Sequence, residues 1–177
     1  MLRCLGPDDA VKLSAFFSTH TSETIYSRYG SFVHMSPEHA MQLVSVDQTH
    51  DCALGVFEGR SEALIAIGRY CLGATGESAE VAFVVRENRR GLGIATALLR
   101  ALLLIAQARG LAKLTAQVEH HNHAMRGIFH RAGAVFTEHG YGEAMTVTLE
   151  LGNNLKPKIP SRSVPFGPQF RSGRESA

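Results

Sequence analysis

The sequence has few cysteines and pairs none of them: Cys4, Cys52 and Cys71 stand far apart, with no CxxC and no histidines at metal-ligand spacing around them. Neither a zinc centre nor a disulfide framework is supported, and the expectation is free, buried thiols and no metal. Long apolar runs are also missing. The longest, residues 94–108, is interrupted by Arg100 and Gln107 and falls short of the ~20 residues a spanning helix needs. Residues 1–7 hold no apolar stretch of signal-peptide length, so the expectation is a cytoplasmic protein with no membrane partner. An excess of either sign of charge is missing as well. The formal net charge is +2, and Lys156, Lys158, Arg162, Arg171 and Arg174 crowd into the last residues. A body without its own basic stripe is not built to hold nucleic acid.

The 177 residues suffice for one domain with a sizeable core. Residues 152–177, rich in Pro, Gly, Ser and Arg without periodicity, read as a basic tail; residues 1–151 form the domain. Within the domain, residues 2–5 suit a short strand and residues 8–17 a helix presenting Val11, Leu13, Phe16 and Phe17. A second helical piece falls at residues 22–29. Ser36-Pro37-Glu38 is a helix start: capping serine, proline at the first helical position, acid in the first turn. Apolar runs at 52–57 and 63–70 flank a Glu58-Gly59-Arg60-Ser61 turn, as in a hairpin. A strand follows at 80–85. Residues 94–109 then make a helix that is apolar except for a stripe at Thr96, Arg100 and Gln107, ending at Gly110. Leu103 falls on that stripe, which implies a covered surface there, as in a homodimer. Leu114, Ala116 and Val118 alternate with polar residues as a half-buried strand does, and Asn122 caps a helix with Met125, Ile128, Phe129 and Ala132 on one side, closing at Gly133. Short strands fit 134–137 and 143–151. The fold class is mixed α/β (α+β), with hairpins first and a strand-helix-strand-helix unit behind.

Chemistry concentrates in Arg89-Arg90-Gly91-Leu92-Gly93-Ile94-Ala95-Thr96, between a strand and a buried helix. The glycines permit close backbone approach and conformations forbidden to other residues. The helix's opening amides lack partners within it and carry the positive end of its dipole, where a pyrophosphate fits. Arg89 and Arg90 add charge beside them. The same residues also describe an ordinary tight turn. A dinucleotide fingerprint needs a third glycine where Thr96 stands, and a Walker A loop needs a Gly-Lys-Ser/Thr that is absent.

Arg90-Gly91-Leu92-Gly93-Ile94-Ala95 resembles the pyrophosphate loop of the GNAT acetyltransferase superfamily: Arg or Gln, two residues, Gly, one residue, then Gly or Ala. The strand before it, the strand after it and the helix at 122–133 extend the resemblance over about sixty residues in the family's order. The resemblance implies a mostly antiparallel central sheet with helices on both faces, and a notch where the strand ending at Val84 and Val85 splays from the strand of 114–118. It implies acetyl-CoA as acyl donor, its phosphates at Arg90, Gly91, Leu92, Gly93, Ile94, Ala95 and Thr96. Its pantetheine amides would lie against Val84 and Val85, and its thiol arm along Asn122, Met125 and Phe129. By themselves the last three are an N-cap and two core residues.

Transfer to an amine needs a neutral nucleophile and a departing thiolate. Where many family members carry a proton-donating tyrosine, this chain has Phe129. Glu80 is the candidate base. Alternation puts it with Ala82 and Val84, and partial burial there would suit it to neutral pH, although alone it is an ordinary strand-end charge. His120, His121 and Tyr141 are further candidates. The front of the chain, with Phe16-Phe17, Ser22 to Tyr29, Asp47 and His50, resembles bacterial GNAT domains that acetylate protein lysines, notably on acyl-CoA synthetases. The resemblance therefore implies direct attack by a primary amine, such as a protein lysine, in a ternary complex. A small amine as acceptor, and an acyl-CoA-binding module without turnover, are the alternatives.

Overall fold

A computed structural model of the chain describes residues 1–21, 36–73, 75–132, 135–140 and 144–151. The expected helix at 22–29 and the tail lie outside the described residues. The rest alternates much as the apolar periodicity predicts: β1 (Leu2–Cys4), α1 (Ala10–Phe17), α2 (Pro37–Val44), β2 (Cys52–Glu58), β3 (Ala63–Leu72), β4 (Ser78–Val85), α3 (Ile94–Ala108), β5 (Lys113–Glu119), α4 (His123–Ala132), β6 (Val135–His139) and β7 (Ala144–Glu150). Ser36 caps α2 as expected, its Oγ accepting from the His39 amide at 3.2 Å. Helix α3 ends beside Gly110 (φ 74°).

The seven strands form one sheet in the order β1-β2-β3-β4-β5-β7-β6. Neighbours are antiparallel except β4 and β5, which run parallel because α3 crosses between them. Two cores cover the two faces. Leu13, Phe16 and Phe17 of α1 and Ala40, Leu43 and Val44 of α2 pack on Phe57, Leu64, Ile67 and Val84. On the other face Leu98, Leu99, Leu102 and Ala106 of α3 and Phe129 of α4 pack on Val81, Phe83, Val85, Ala116 and Val118. Helix α3 sits so close to β3 that a Cβ on Gly68 would lie 3.0 Å from Leu102 Cδ1 and 3.1 Å from Leu98 Cδ2. At its far end Arg109 donates to the Asp51 carbonyl at 3.0 Å and to Tyr70 Oη at 2.6 Å, while burial pushes the Tyr70 phenol up to about 12.

Three expectations are corrected. Leu103 is 9% exposed and belongs to the core of its own chain, whereas Leu104 is 67% exposed. The outer stripe of α3 keeps Arg100 and Gln107 but has Ala97 and Leu104 in place of Thr96 and Leu103, so the argument from Leu103 to a homodimer falls away. Cys52 and Cys71 are buried free thiols, but Cys4 is exposed. β4 begins at Ser78, which makes Glu80 its third residue and not its first. No helix among the described residues is long and apolar enough to cross a membrane.

The amino-terminal strand is held to the turn before α1 by a part-buried ion pair. Arg3 Nη1 and Nη2 each donate to Asp9 at 2.7 Å, the Gly6 amide adds a third bond at 3.1 Å, and Arg3 lies 3.9 Å over the Phe57 ring. Arg3 holds the Asp9 carboxyl below its ordinary range, against the opposing effect of burial. A depressed carboxylate stabilises the fold above its unfolded pKa and loses that contribution as pH falls through the folded value. Asp9→Asn should therefore cost about 1.5–3 kcal/mol at pH 7 in urea denaturation. That gap should narrow as pH falls below about 4, the ordinary carboxylate range. A gap that stays constant with pH would contradict this account.

Candidate functional site

Pairing between β4 and β5 covers only Ser78 with Lys113, Ala79 with Leu114 and Glu80 with Thr115. Beyond that rung β4 runs on to Val85 paired only with β3, and β5 runs on to Glu119 paired only with β7. The hydrogen-bond parity of β4 follows from the Arg86 amide, which donates to the Ile65 carbonyl at 2.8 Å on the β3 side. Counting back by twos, Val84, Ala82 and Glu80 also direct their backbone groups to β3. Val81, Phe83 and Val85 direct theirs to the opened side. The same count from the Leu151 amide, which donates to the Ala112 carbonyl at 2.9 Å, turns Gln117 and Glu119 of β5 toward the opening. Strand backbone left without a partner is costly unless something else bonds it.

The opening is a groove lined by Glu80, Val81, Ala82 and Phe83 of β4, Ala116, Gln117 and Val118 of β5, and Met125 and Phe129 of α4. Helix α4 is aimed into it by its cap, as expected: Asn122 Oδ1 accepts from the Met125 amide at 3.0 Å. Phe129 is 1% exposed, its ring centroid 6.2 Å from that of Phe83. Met125 is half-buried beside it. No side chain in this wall can donate a proton where Phe129 stands.

At the far end of β4 the chain makes the single turn Glu87–Arg89 and enters α3 through two left-handed residues, Gly91 and Gly93, both at φ 77°. A Cβ on either would meet nothing within 4 Å, so these glycines serve the backbone conformation and not a tight fit to neighbours. Gly93 caps α3 without a side-chain bond, so the opening amides of a fifteen-residue helix face outward. Leu92 is 67% exposed and Thr96 9% exposed, with Ile94 and Ala95 between these extremes. Of the two arginines expected to add charge, Arg89 is hydrogen-bonded to Glu58 at the end of β2, and Arg90 is the exposed one next to the glycines.

The structure thus gathers the anticipated residues along one path, from the glycine turn, past Val85, to Asn122, Met125 and Phe129. Val84 stands differently: its side chain is 7% exposed in the α1–α2 core and its backbone serves β3. Val81, Phe83 and Gln117 were missed, because hydrogen-bond parity leaves no trace in a hydropathy pattern. Glu80 stands on the last paired rung, at the closed end of the groove, on the face of α1 and α2. Its side chain is exposed, not half-buried as expected. His120 and His121 are exposed and off the groove, His121 lying 3.5 Å from Glu119; Tyr141 is outside the described residues.

Comparison with known proteins agrees with this geometry. Residues 19–134 match the acetyltransferase (GNAT) family. Acetyltransferase Pat of Mycolicibacterium smegmatis is 33% identical over 153 residues, which are 85% of this chain but 43% of that protein, so the chain spans less than half the length of this relative. The crystal structure of the GNAT domain of S. lividans PAT superposes with a TM-score of 0.76 at 26% identity, covering 84% of this chain and 89% of that domain. A cAMP-binding acyltransferase from Mycobacterium smegmatis gives 0.56 at 29% identity, over 85% of this chain and 43% of that one.

The turn's need for glycine is separable from any ligand. Gly93→Ala places a side chain at positive φ with no steric contact to add, so the loss in urea denaturation should be about 1–2 kcal/mol, the cost of a left-handed L-residue. A neutral effect would mean that the turn relaxes to another conformation.

Proposed function

This chain belongs to the acetyltransferase (GNAT) family, and on that premise we propose that it is an acetyl-CoA-dependent N-acetyltransferase acting on a primary amine, its acceptor a protein lysine. The observation that carries this reading is the parting of β4 from β5 directly beside a glycine turn that opens a helix. The groove has the character a pantetheine arm requires: apolar walls from Phe83, Met125 and Phe129, with backbone donors and acceptors along one edge. The amides at the start of α3 and the charge of Arg90 suit the pyrophosphate. The Val81 carbonyl, the Phe83 amide and carbonyl and the Val85 amide offer β4's free backbone groups to the pantetheine amides, much as an added strand would complete the sheet. The Asn122 amide nitrogen, its oxygen already engaged in capping, is left to donate toward the arm.

Transfer then runs by direct attack. Glu80 takes a proton from the ammonium, directly or through water; the amine lone pair attacks the thioester carbonyl; the tetrahedral adduct collapses with cleavage of the C–S bond. The electrons of that bond leave on sulfur. Phe129 has no proton to give, so the thiolate is protonated by the proton that the new amide nitrogen sheds or by water. An exposed Glu80 suits an acceptor arriving from solvent, which buries the carboxylate only on binding. The lysine assignment is supported by the resemblance of the front of the chain to lysine-modifying domains and by the 33% identity to Acetyltransferase Pat.

The test is release of free thiol from acetyl-CoA against lysine-bearing proteins and a panel of small amines. Turnover should be selective for a protein lysine, and Glu80→Gln should lower it by about 10²- to 10⁴-fold while acetyl-CoA affinity holds. Selective turnover of a small amine would overturn the acceptor assignment. Retained turnover in Glu80→Gln would remove Glu80 as the base, and cofactor binding with no thiol release on any amine would make the chain a binding module.

A further inference from the structure

The turn that follows α1 reaches the segment that leads into α3. Thr21 donates twice to one oxygen of Glu87, through its amide at 3.0 Å and its hydroxyl at 2.8 Å. The residue before it, His20, is fixed by its Nδ1, 2.8 Å from the Phe16 carbonyl, and by its ring, 4.4 Å from that of Phe16. Burial holds the His20 imidazole below its ordinary pKa, against the raising influence of the Val85 carbonyl and of Glu87. The turn after α1 thus meets the single turn that follows β4, through Thr21 and Glu87. Glu87 ties that turn to Arg90 as well, since its carbonyl accepts the Arg90 amide at 3.2 Å. Helix α1 packs on the face of the sheet where Glu80 stands, and α3 and Phe129 pack on the other. The Thr21–Glu87 contact is therefore a bridge from the acceptor face to the glycine turn.

We propose that Glu87 is a positioning residue that holds the glycine turn and the end of α1 in one arrangement, so that the acetyl-CoA and acceptor sites are set together. The inference rests on the acetyl-CoA reading of the turn. Its physical content is a shared restraint: with the bridge made, neither ligand has to order its own half alone, and linkage makes the benefit mutual. Water reaches both groups, which places the effect at the low end of such couplings, roughly 5-fold on each ligand.

The experiment compares Glu87→Ala, Glu87→Gln and Thr21→Val in the full chain, reading kcat, the KM for acetyl-CoA and the KM for the acceptor, with acetyl-CoA binding followed by thermal shift. Glu87→Ala should raise both KM values about 5-fold and leave kcat nearly unchanged. Glu87→Gln keeps an oxygen that accepts from both Thr21 donors and should restore wild-type values. Thr21→Val loses one of the two bonds and should fall between, with no further loss when combined with Glu87→Ala. Equal impairment in Glu87→Gln and Glu87→Ala would assign the effect to charge beside Arg90 and overturn the bridge. A change in the acetyl-CoA constant alone would overturn the link to the acceptor face, as would wild-type constants in Thr21→Val. Absence of acetyl-CoA stabilisation in the wild type would instead strike the proposed function, which keeps the two failures apart.

Discussion

Two parallel strands that stay together for three rungs and then part are the constraint from which the rest of the site follows. Each strand remains satisfied on its outer side, β4 by β3 and β5 by β7, so the parting strands backbone groups only along the inner edges. Such an edge is stable where water or a ligand bonds it and costly where it is buried dry. The sheet tolerates the gap because one core spans it, joining Val81 and Phe83 of β4 to Ala116 and Val118 of β5. Leu98, Leu99 and Leu102 of α3 clamp β3 and β4 on one face, and α1 and α2 clamp Ile67 and Val84 on the other. Phe129, pressed on Phe83, keeps the mouth from closing.

The glycine turn and the groove are parts of one path because β4 ends where α3 begins. Only the residues from Arg86 to Gly93 separate the last free strand amide from the first free helix amide. That short connection is held on two sides, by Glu58 through Arg89 and by Thr21 through Glu87. A ligand with an anionic end and an amide-bearing arm meets both sets of donors without rearranging the body of the protein. Glu80 lies at the closed end of the same path, where an acyl carbon at the arm's tip would come nearest to solvent on the α1 face.

Much of this was legible in the sequence, for physical reasons that differ from element to element. Helix starts at Ser36 and Asn122 could be read because caps are local chemistry, and α3 because fifteen residues of helical periodicity leave little ambiguity. The glycine turn was legible because only glycine supplies two residues at φ 77°. Sheet order was not: nothing in the alternation of residues 144–150 says that β7 inserts between β5 and β6. Hydrogen-bond parity was equally hidden, which is why Val84 was chosen where Val81 and Phe83 present the backbone. The pairing of Arg89 with Glu58 joins residues 31 apart in sequence and could not be read from either. Leu103 and Leu104 were exchanged because one residue turns a helix by about 100°. The exposure of Glu80 reflects the end of a strand pair, and strand ends are the least certain boundaries to read.

The central claim is that acetyl-CoA bonds to the free inner edge of β4. Amide hydrogen exchange measured residue by residue, with and without saturating acetyl-CoA, addresses it directly. The amides of Val81, Phe83 and Val85 differ from those of Ala82 and Val84 in this account only by which side of the strand they face. Acetyl-CoA should slow exchange selectively at Phe83 and Val85, and leave Ala82 and Val84, already bonded to β3, nearly unchanged. Uniform protection along the strand, or none at Phe83 and Val85 under conditions where acetyl-CoA binds, would contradict it.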